Sequence, residues 1–552
     1  DGAGAVADGG ASAIDLDPRE PIYGKERQVD GAVGGVVRLV PKEAAARSVT
    51  ARASVGSFGT QEARMEAEGW SGSFGAVASG GAFWSNNDFS YLDDNATFAD
   101  PTDDEVVERV NAEVGQGHGF FAGSLESGSH RVAALLFLLH QDRGLPGPAT
   151  VVSRESRQER TRLFASLGYR VDATWGDVDV EGFATLALGY DRDQVRDLLG
   201  RVGLGREDTD DRYLSLDARA GFFARVVPPL TLGATVFRRW DDVRPSNRFA
   251  TPGDQPSERD LTVVATEALL EAEPFGVPVS ARASASLQVT SARLTASELQ
   301  GTTVRELDQT SPNFRVELRA ELLHGLELSG HLSSGAQVPT VLQLFGNRDT
   351  VVGNPDLIPE TSLAVDAGVL FQRGFGPLDL RSELRFFSLR VDDIIVARRT
   401  ARNTVAFRNE RSGETRGLEA ALSLALHPGL TTDASLTYLS SDFDNSGFTR
   451  EQPLRVPLRY FQRVRWEFLA RRLAVWSEID HRSGFFTDSA NQVEQLPLTL
   501  INVGLRARSP EDGLSIAVSV MNLLDASGLD LLAFPRPGRA VQVALEWKES
   551  IP

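Results

Sequence analysis

Apolar and polar residues alternate with a period of two along most of this chain, and this pattern constrains the fold more than any other feature. In one segment Leu514, Ile516 and Val518 alternate with Ser515 and Ala517. Successive side chains of a strand point to opposite faces, so such a segment predicts a strand with one apolar and one polar face. The clearest segments are 379–386, 417–426, 513–521 and 540–547.

The connections between the predicted strands alternate between short turns and long polar loops. The short connections lie at 71–73, 127–130, 174–177, 274–278, 323–326, 373–377, 427–429 and 509–513. The long ones lie near 85–115, 141–158, 190–210, 240–258, 291–309, 334–360, 391–412, 441–455, 483–496 and 524–538. Tight turns at one end and long loops at the other are typical of outer-membrane barrels. We therefore predict an all-β fold, a large transmembrane antiparallel up-and-down β-barrel of about 22 strands.

The composition excludes several other classes of protein. The net charge of −19 argues against nucleic-acid binding, which needs a basic surface. The 552 residues include no cysteine, so disulfides and cysteine-bound metals are excluded. No run of about 18 apolar residues predicts a spanning helix. Asp1 is consistent with the first residue after a removed signal peptide.

The chain shows no constellation of catalytic or metal-binding residues. None of its seven histidines stands at ligand spacing from another, and no serine lies in a nucleophile elbow. We therefore expect no enzymatic activity, no cofactor and no metal site. The acidic cluster at 207–211 is interpreted as solvated loop surface, because its spacing matches no calcium-binding loop.

Arginines lie on the polar faces of several predicted strands. Arg385 neighbours Glu383, and Arg465 neighbours Glu467. In a wide barrel these faces line the lumen. Two interpretations remain open, namely ion-pair ladders that hold the wall and a plug, and simple solvation of the wall.

Four segments resemble those of one family, the TonB-dependent receptors of Gram-negative outer membranes. "VPTVLQLFGNRDTVVGNPDLIPETS" at 338–362 is similar to the family segment that ends in an Asn-Pro turn and a Pro-Glu pair. The segments 407–422, 520–530 and 535–547 resemble later strand starts and the final strand. The matching positions are Pro339, Gly353, Asn354, Pro355, Pro359, Glu360, Asn409, Gly417, Glu419, Asn522, Pro537, Gly538, Arg539 and Trp547.

The segment "YGKERQVDGAVGGVVRLVPK" at 23–42 resembles the end of the plug domain of that family. Gly34 and Gly35 would let the plug backbone pack closely against its neighbours. We therefore expect 1–46 to be the C-terminal remnant of a plug and 47–552 to be the barrel. Three explanations of the short plug are open: residues omitted from this sequence, a truncated protein, or a plug that is naturally reduced or supplied by another chain.

The resemblance implies a receptor for energised uptake of a scarce nutrient, such as a ferric siderophore, cobalamin, haem or a glycan. It implies an outer-membrane location, contact with membrane lipid and lipopolysaccharide, and coupling to the TonB–ExbB–ExbD complex if a TonB box is present. The alternatives are a non-transporting structural or docking barrel, which would bind partner outer-membrane or periplasmic chains, and a soluble all-β adhesin.

Overall fold

The structure is a computed structural model that describes most of the chain from Ser48 to Ser550. The described residues are 44, 47–93, 101–147, 149, 151–202, 205–249, 256–298, 301–340, 343–344, 351–399, 405–410, 412–426, 429–445, 448–488, 490–509, 513–531 and 534–550. The expected plug remnant, with Gly34 and Gly35, lies outside these residues except for Ala44. The plug remnant and the boundary at 46 and 47 therefore stay predictions.

The described part of the chain forms a closed antiparallel barrel of 22 strands, which confirms the predicted fold class and strand number. The barrel strands are β1 (Ser48–Gly56), β2 (Gln61–Ser71), β3 (Phe74–Ser85), β6 (Val114–Ser127), β7 (His130–Gly144), β8 (Arg157–Trp175), β9 (Val178–Asp197), β10 (Glu207–Val227), β11 (Leu230–Arg244), β12 (Ser257–Ala272), β13 (Val279–Glu298), β14 (Gly301–Leu323), β15 (Leu326–Gln337), β17 (Glu360–Phe375), β18 (Leu378–Asp392), β21 (Ser412–Leu426), β22 (Leu430–Asn445), β24 (Leu458–Phe468), β25 (Leu473–Arg482), β28 (Leu498–Arg508), β29 (Leu514–Met521) and β32 (Ala540–Ser550).

The remaining described elements are short and lie in the connections. The loop strands are β4 (Ser90–Asp93), β5 (Glu105–Glu108), β16 (Val351–Val352), β19 (Ile395–Arg399), β20 (Val405–Asn409), β23 (Phe448–Glu451), β26 (Phe485–Phe486), β27 (Glu494–Gln495), β30 (Leu529–Leu531) and β31 (Phe534–Pro535). Two 3₁₀ turns span Pro101–Asp103 and Pro274–Gly276. Among the described residues, no helix has the length and apolarity needed to cross a membrane.

The barrel closes by pairing of its first and last strands. β1 and β32 are antiparallel over nine residue pairs, from Ser48 opposite Ser550 to Gly56 opposite Gln542. Above the last pair, the Ser57 backbone N–H donates to the Val541 carbonyl oxygen at 2.9 Å. Closure leaves no strand edge with unpaired backbone groups, which is the condition for a sheet to stand in hydrocarbon.

The predicted alternation of faces is confirmed along the barrel strands. In β18, Leu384 and Phe386 are 49% and 57% exposed, whereas Arg385 between them bonds to neighbouring carboxylates. In β29, Ile516 is exposed and Ser515 is buried. The apolar side chains form the outside of the tube, where lipid would solvate them, and the polar side chains face the lumen.

The described lumen face carries ion pairs within and between strands, which favours ion pairing over simple solvation of the wall, while contact of these arginines with a plug stays a prediction. Arg463 on β24 pairs with Glu478 on β25. Arg465 lies 2.6 Å from Glu467 on its own strand. Each pair joins charges that the sequence places on the same polar face.

One side of the barrel is much taller than the other. β8, β9, β10, β13 and β14 have 19 to 23 residues, whereas β1, β24, β25, β28, β29 and β32 have 8 to 11. About 9–11 residues suffice to cross a membrane. In a membrane, the long strands would therefore continue beyond it for about the same length again.

We call the side formed by β8, β9, β10, β13 and β14 the tall wall. It shows that two loop predictions are wrong. Most of 190–210 and nearly all of 291–309 are strand, in β9, β10, β13 and β14. The acidic residues at 207–211, expected in a loop, also lie in β10. The physical reason is ion pairing: Asp210 accepts from Arg192 at 2.7 Å and from Arg212 at 2.9 Å, so these polar residues are satisfied within the sheet.

An arginine placed on the outer face should destabilise the barrel more than one placed on the lumen face. We expect Leu384→Arg to lower the free energy of unfolding by about 2–4 kcal/mol, because position 384 lies near the middle of the apolar belt. The control is Ala421→Arg, whose side chain would enter the lumen beside Glu383, its cross-strand neighbour. Denaturant titration in phospholipid vesicles measures both, and equal losses would contradict the assignment of the two faces.

Candidate functional site

The described part of the connection 338–359 packs against the inner face of the tall wall at the barrel mouth. Leu344 and Leu357 are each 1% exposed and form a buried cluster with Ala292 of β13. Three partly buried side chains cover it: Leu307, Ile395 and Phe407. Ala292 and Leu307 are cross-strand partners. The cluster therefore brings together the tall wall and two successive loops.

Asn409 hydrogen-bonds both of these loops with one side chain. Its Oδ1 accepts from the Ile358 backbone N–H at 3.0 Å. Its Nδ2 donates to the Ile358 carbonyl at 3.0 Å and to the Asp393 carbonyl at 2.7 Å. The carboxamide thus pairs with both backbone groups of Ile358, as a strand neighbour would.

Asn354 of the first loop and Glu360 at the start of β17 add further bonds to the second loop. Asn354 Nδ2 donates to the Phe407 carbonyl at 2.9 Å. The Ile395 backbone N–H donates to Glu360 Oε1 at 2.5 Å. We call Asn354, Ile358, Glu360, Ile395, Phe407 and Asn409 the loop lock.

A small sheet supports the loop lock. Val351 and Val352 of β16 lie parallel to Val405 and Ala406 of β20, and β20 is antiparallel to β19. The motif residue Pro339 is fully buried, at less than 2% exposure. Gly353, Pro355 and Pro359 lie in the stretch between β16 and β17, and the two prolines remove backbone donors from it.

A second group of motif residues organises the last loop. Asn522 accepts from the Ala526 backbone N–H at 2.8 Å and donates to the Ala526 carbonyl at 2.9 Å. Asp525 Oδ1 accepts from the Arg539 backbone N–H at 2.6 Å. At Gly538 a Cβ atom would lie 2.5 Å from the same oxygen. The structure thus joins the segments 520–530 and 535–547, while Pro537 beside them is exposed.

The other motif residues belong to the wall. The Phe387 ring lies over Gly417, where a Cβ atom would come within 2.4 Å of it. Glu419 faces the lumen on β21, opposite Arg385 in register. Trp547 is on the outer face of β32. These positions are therefore not brought together with the loop lock.

The sequence did not reveal a polar cluster deeper in the lumen. His331 Nδ1 lies 2.7 Å from Asp366 Oδ2, and Asp366 also pairs with Arg385. Arg319 Nε donates to Glu317 at 2.8 Å beside them. The only available signal was the position of His331 among serines on the polar face of β15, which gives no partner.

Other neighbouring loops are also joined at the mouth. Asn111 donates to the Leu145 carbonyl at 3.1 Å and to the Ser156 carbonyl at 2.8 Å. Ser156 Oγ donates to buried Asp197 at 2.8 Å. Among the described residues, no group of three or more histidine or acidic side chains is placed to hold a metal ion. The arrangement can bind and orient a ligand by polar contacts, without covalent chemistry.

The comparisons with known proteins identify the family. A family described as "TonB dependent receptor-like, beta-barrel" matches residues 67–523. The chain therefore belongs to the TonB-dependent receptor-like β-barrel family, as the motifs indicated.

Individual relatives are distant in sequence. An iron-regulated outer membrane virulence protein of Vibrio cholerae is 26% identical over 174 residues, which is 28% of this chain and 26% of that protein's own length. The FrpB iron transporter of Neisseria meningitidis matches 91% of this chain and 81% of its own, with TM-score 0.70 and 12% identity. The match with the siderophore receptor PiuA of Acinetobacter baumannii covers 94% of this chain and 84% of PiuA, with TM-score 0.70 and 12% identity.

The copper transporter OprC gives TM-score 0.71 at 14% identity, over 91% of this chain and 80% of its own. At these identities the structural likeness shows the fold. The family and these neighbours are receptors and transporters rather than enzymes, in agreement with the sequence prediction.

Asp488 should make the loop at 487–493 sensitive to acid. Burial raises the pKa of its carboxyl group, but bonds from the backbone N–H groups of Val493, Gln492 and Ala490 outweigh this effect and lower the pKa below its ordinary value. Because the pKa is lower in the folded loop than in the unfolded chain, where it is about 3.9, the ionised carboxylate stabilises the loop at pH values above about 3.9. This stability is lost as the pH falls through the folded-state pKa.

Hydrogen exchange corrected for intrinsic rates, measured from pH 7 downward, checks this. We expect the amides of 490–493 to lose protection once the pH is lowered below about 4. In Asp488→Asn, protection should be weaker at pH 7 and nearly independent of pH. The same acid response in both proteins would contradict the role of this carboxylate.

Proposed function

We propose that this protein is an outer-membrane receptor of a Gram-negative bacterium that takes up a scarce nutrient with energy supplied through TonB. The observation that carries the proposal is the family match over residues 67–523, on a closed barrel with an apolar exterior and a charged lumen. A barrel of this strand number has a wide lumen, which suits a ligand too large for an ordinary porin. Surrounding lipid and lipopolysaccharide would contact the exterior.

The ligand class that we favour is a ferric chelate. Of the proteins compared above, one is named an iron transporter, one a siderophore receptor and one a copper transporter, and a fourth is named as iron-regulated. Cobalamin, haem and glycans remain candidates from the family resemblance. The barrel would bind its ligand at the loops and deliver it through the lumen, with the TonB–ExbB–ExbD complex acting on a plug.

Uptake by cells tests the proposal directly. The natural full-length protein is expressed in a Gram-negative strain that lacks its own iron receptors. Uptake of radioactive iron is then measured from ferric catecholate, ferric hydroxamate and ferric citrate, and haem and cobalamin are tested in parallel. We expect uptake of at least one of these ligands, and we expect a proton uncoupler or deletion of TonB to abolish it.

The alternative is a structural or docking barrel. A receptor that reaches the outer membrane, closes correctly and supports energised uptake of none of these ligands would favour that alternative. Surface labelling of an epitope in the 86–113 loop controls for assembly. Partner chains that co-purify in stoichiometric amount would then identify the assembly.

A further inference from the structure

We infer that the loop lock makes the described parts of the loops 338–359 and 393–411 one preformed body on the inner wall, with Asn409 as its central positioning residue. The inference rests on the proposed function only for its consequence, which is that this side of the mouth presents a fixed surface to the ligand.

The first support is the number of hydrogen bonds that join the two loops. Ile358 and Asn409 lie 51 residues apart in sequence, yet the Asn409 side chain accepts one hydrogen bond from Ile358 and donates one to it. It donates a third to Asp393 in its own loop. Asn354 Nδ2 also donates to the Phe407 carbonyl, and the Ile395 backbone N–H donates to Glu360 at the start of β17. The two loops cannot separate without breaking the two Asn409–Ile358 bonds and the Asn354–Phe407 bond.

The second support is the attachment of the joined loops to the barrel. Leu344 and Leu357 are buried against Ala292 and Leu307 of the tall wall. Gln309 of β14 also donates to the Leu357 carbonyl at 3.1 Å. Exposing this cluster would cost apolar burial as well as the hydrogen bonds. A ligand-driven movement at this side would therefore have to displace both loops together.

The third support is that the bonded residues come from two different motif segments of the sequence. Asn354 and Glu360 belong to one motif segment and Asn409 to another. The structure brings them into a single joint, which gives these motif positions a shared physical role. Gly417, Glu419 and Trp547 lie outside this joint, in the wall.

Hydrogen exchange of the whole chain in lipid nanodiscs tests the lock without any ligand. In Asn409→Ala, the amides of 354–358 and 393–396 should both exchange roughly tenfold faster or more, because three hydrogen bonds are lost. The paired amides of β13 should keep their protection. Arg408→Ala is the matched control, since Arg408 is the exposed neighbour on the same strand, and it should change neither loop.

Two further variants make the result specific. Asn409→Asp keeps an acceptor for Ile358 N–H but places a carboxylate oxygen against the Ile358 and Asp393 carbonyl oxygens, and should therefore also accelerate exchange in both loops. The chain has no cysteine, so a Val352→Cys, Ala406→Cys double variant would contain a single cysteine pair. The two positions are register partners on β16 and β20, with Cα atoms about 5 Å apart, which is within the range of a disulfide that would join the two loops. Oxidation of this pair should restore slow exchange in the Asn409→Ala protein, and reduction should remove it.

The inference fails if Asn409→Ala accelerates exchange only in 393–396 and leaves 354–358 unchanged, because the loops would then be independent. It also fails if both loops of the unaltered protein exchange as fast as unstructured peptide. Neither result depends on ligand uptake, so failure of the lock and failure of the proposed function are distinguished.

Discussion

The backbone pairing of β1 with β32 is the interaction on which the rest of the structure depends. An open sheet of this length would place two rows of unpaired N–H and C=O groups in hydrocarbon, and each unpaired group would cost free energy. Nine residue pairs at the seam remove both edges. Closure also separates an inside from an outside, so the two-faced strands acquire an apolar exterior and a charged lumen.

In the tall wall, the paired sheet continues past the apolar part of the barrel. Above the apolar belt, both faces of β9 and β10 are wet, and arginine–aspartate pairs replace apolar contacts. Arg160 bonds Asp191 at 2.5 Å, and Arg192 bonds Asp210 at 2.7 Å. Such exposed pairs contribute little free energy individually. They satisfy the charges in strand geometry, and the wall thereby offers an inner surface on which two loops pack.

The motif residues acquire different meanings in the structure. Asn354, Glu360 and Asn409 join two loops, Asn522 and Gly538 shape a third, and Gly417 admits the ring of Phe387. All of these positions were predicted from resemblance, but their partners were not. Asp366 and His331 carry comparable contacts and were missed, because no local pattern distinguishes a paired polar residue from a solvated one.

Local sequence determined the strand character, the face of each side chain and the number of barrel strands. These properties depend on a period of two and on turn residues, which involve only near neighbours in the chain. Tertiary structure alone decided that β9, β10, β13 and β14 extend into 190–210 and 291–309, that Asp210 meets Arg192, and that Asn409 reaches Ile358. Those outcomes depend on which distant residues the closed register brings within bonding distance, and alternation carries no information about register between strands far apart in sequence.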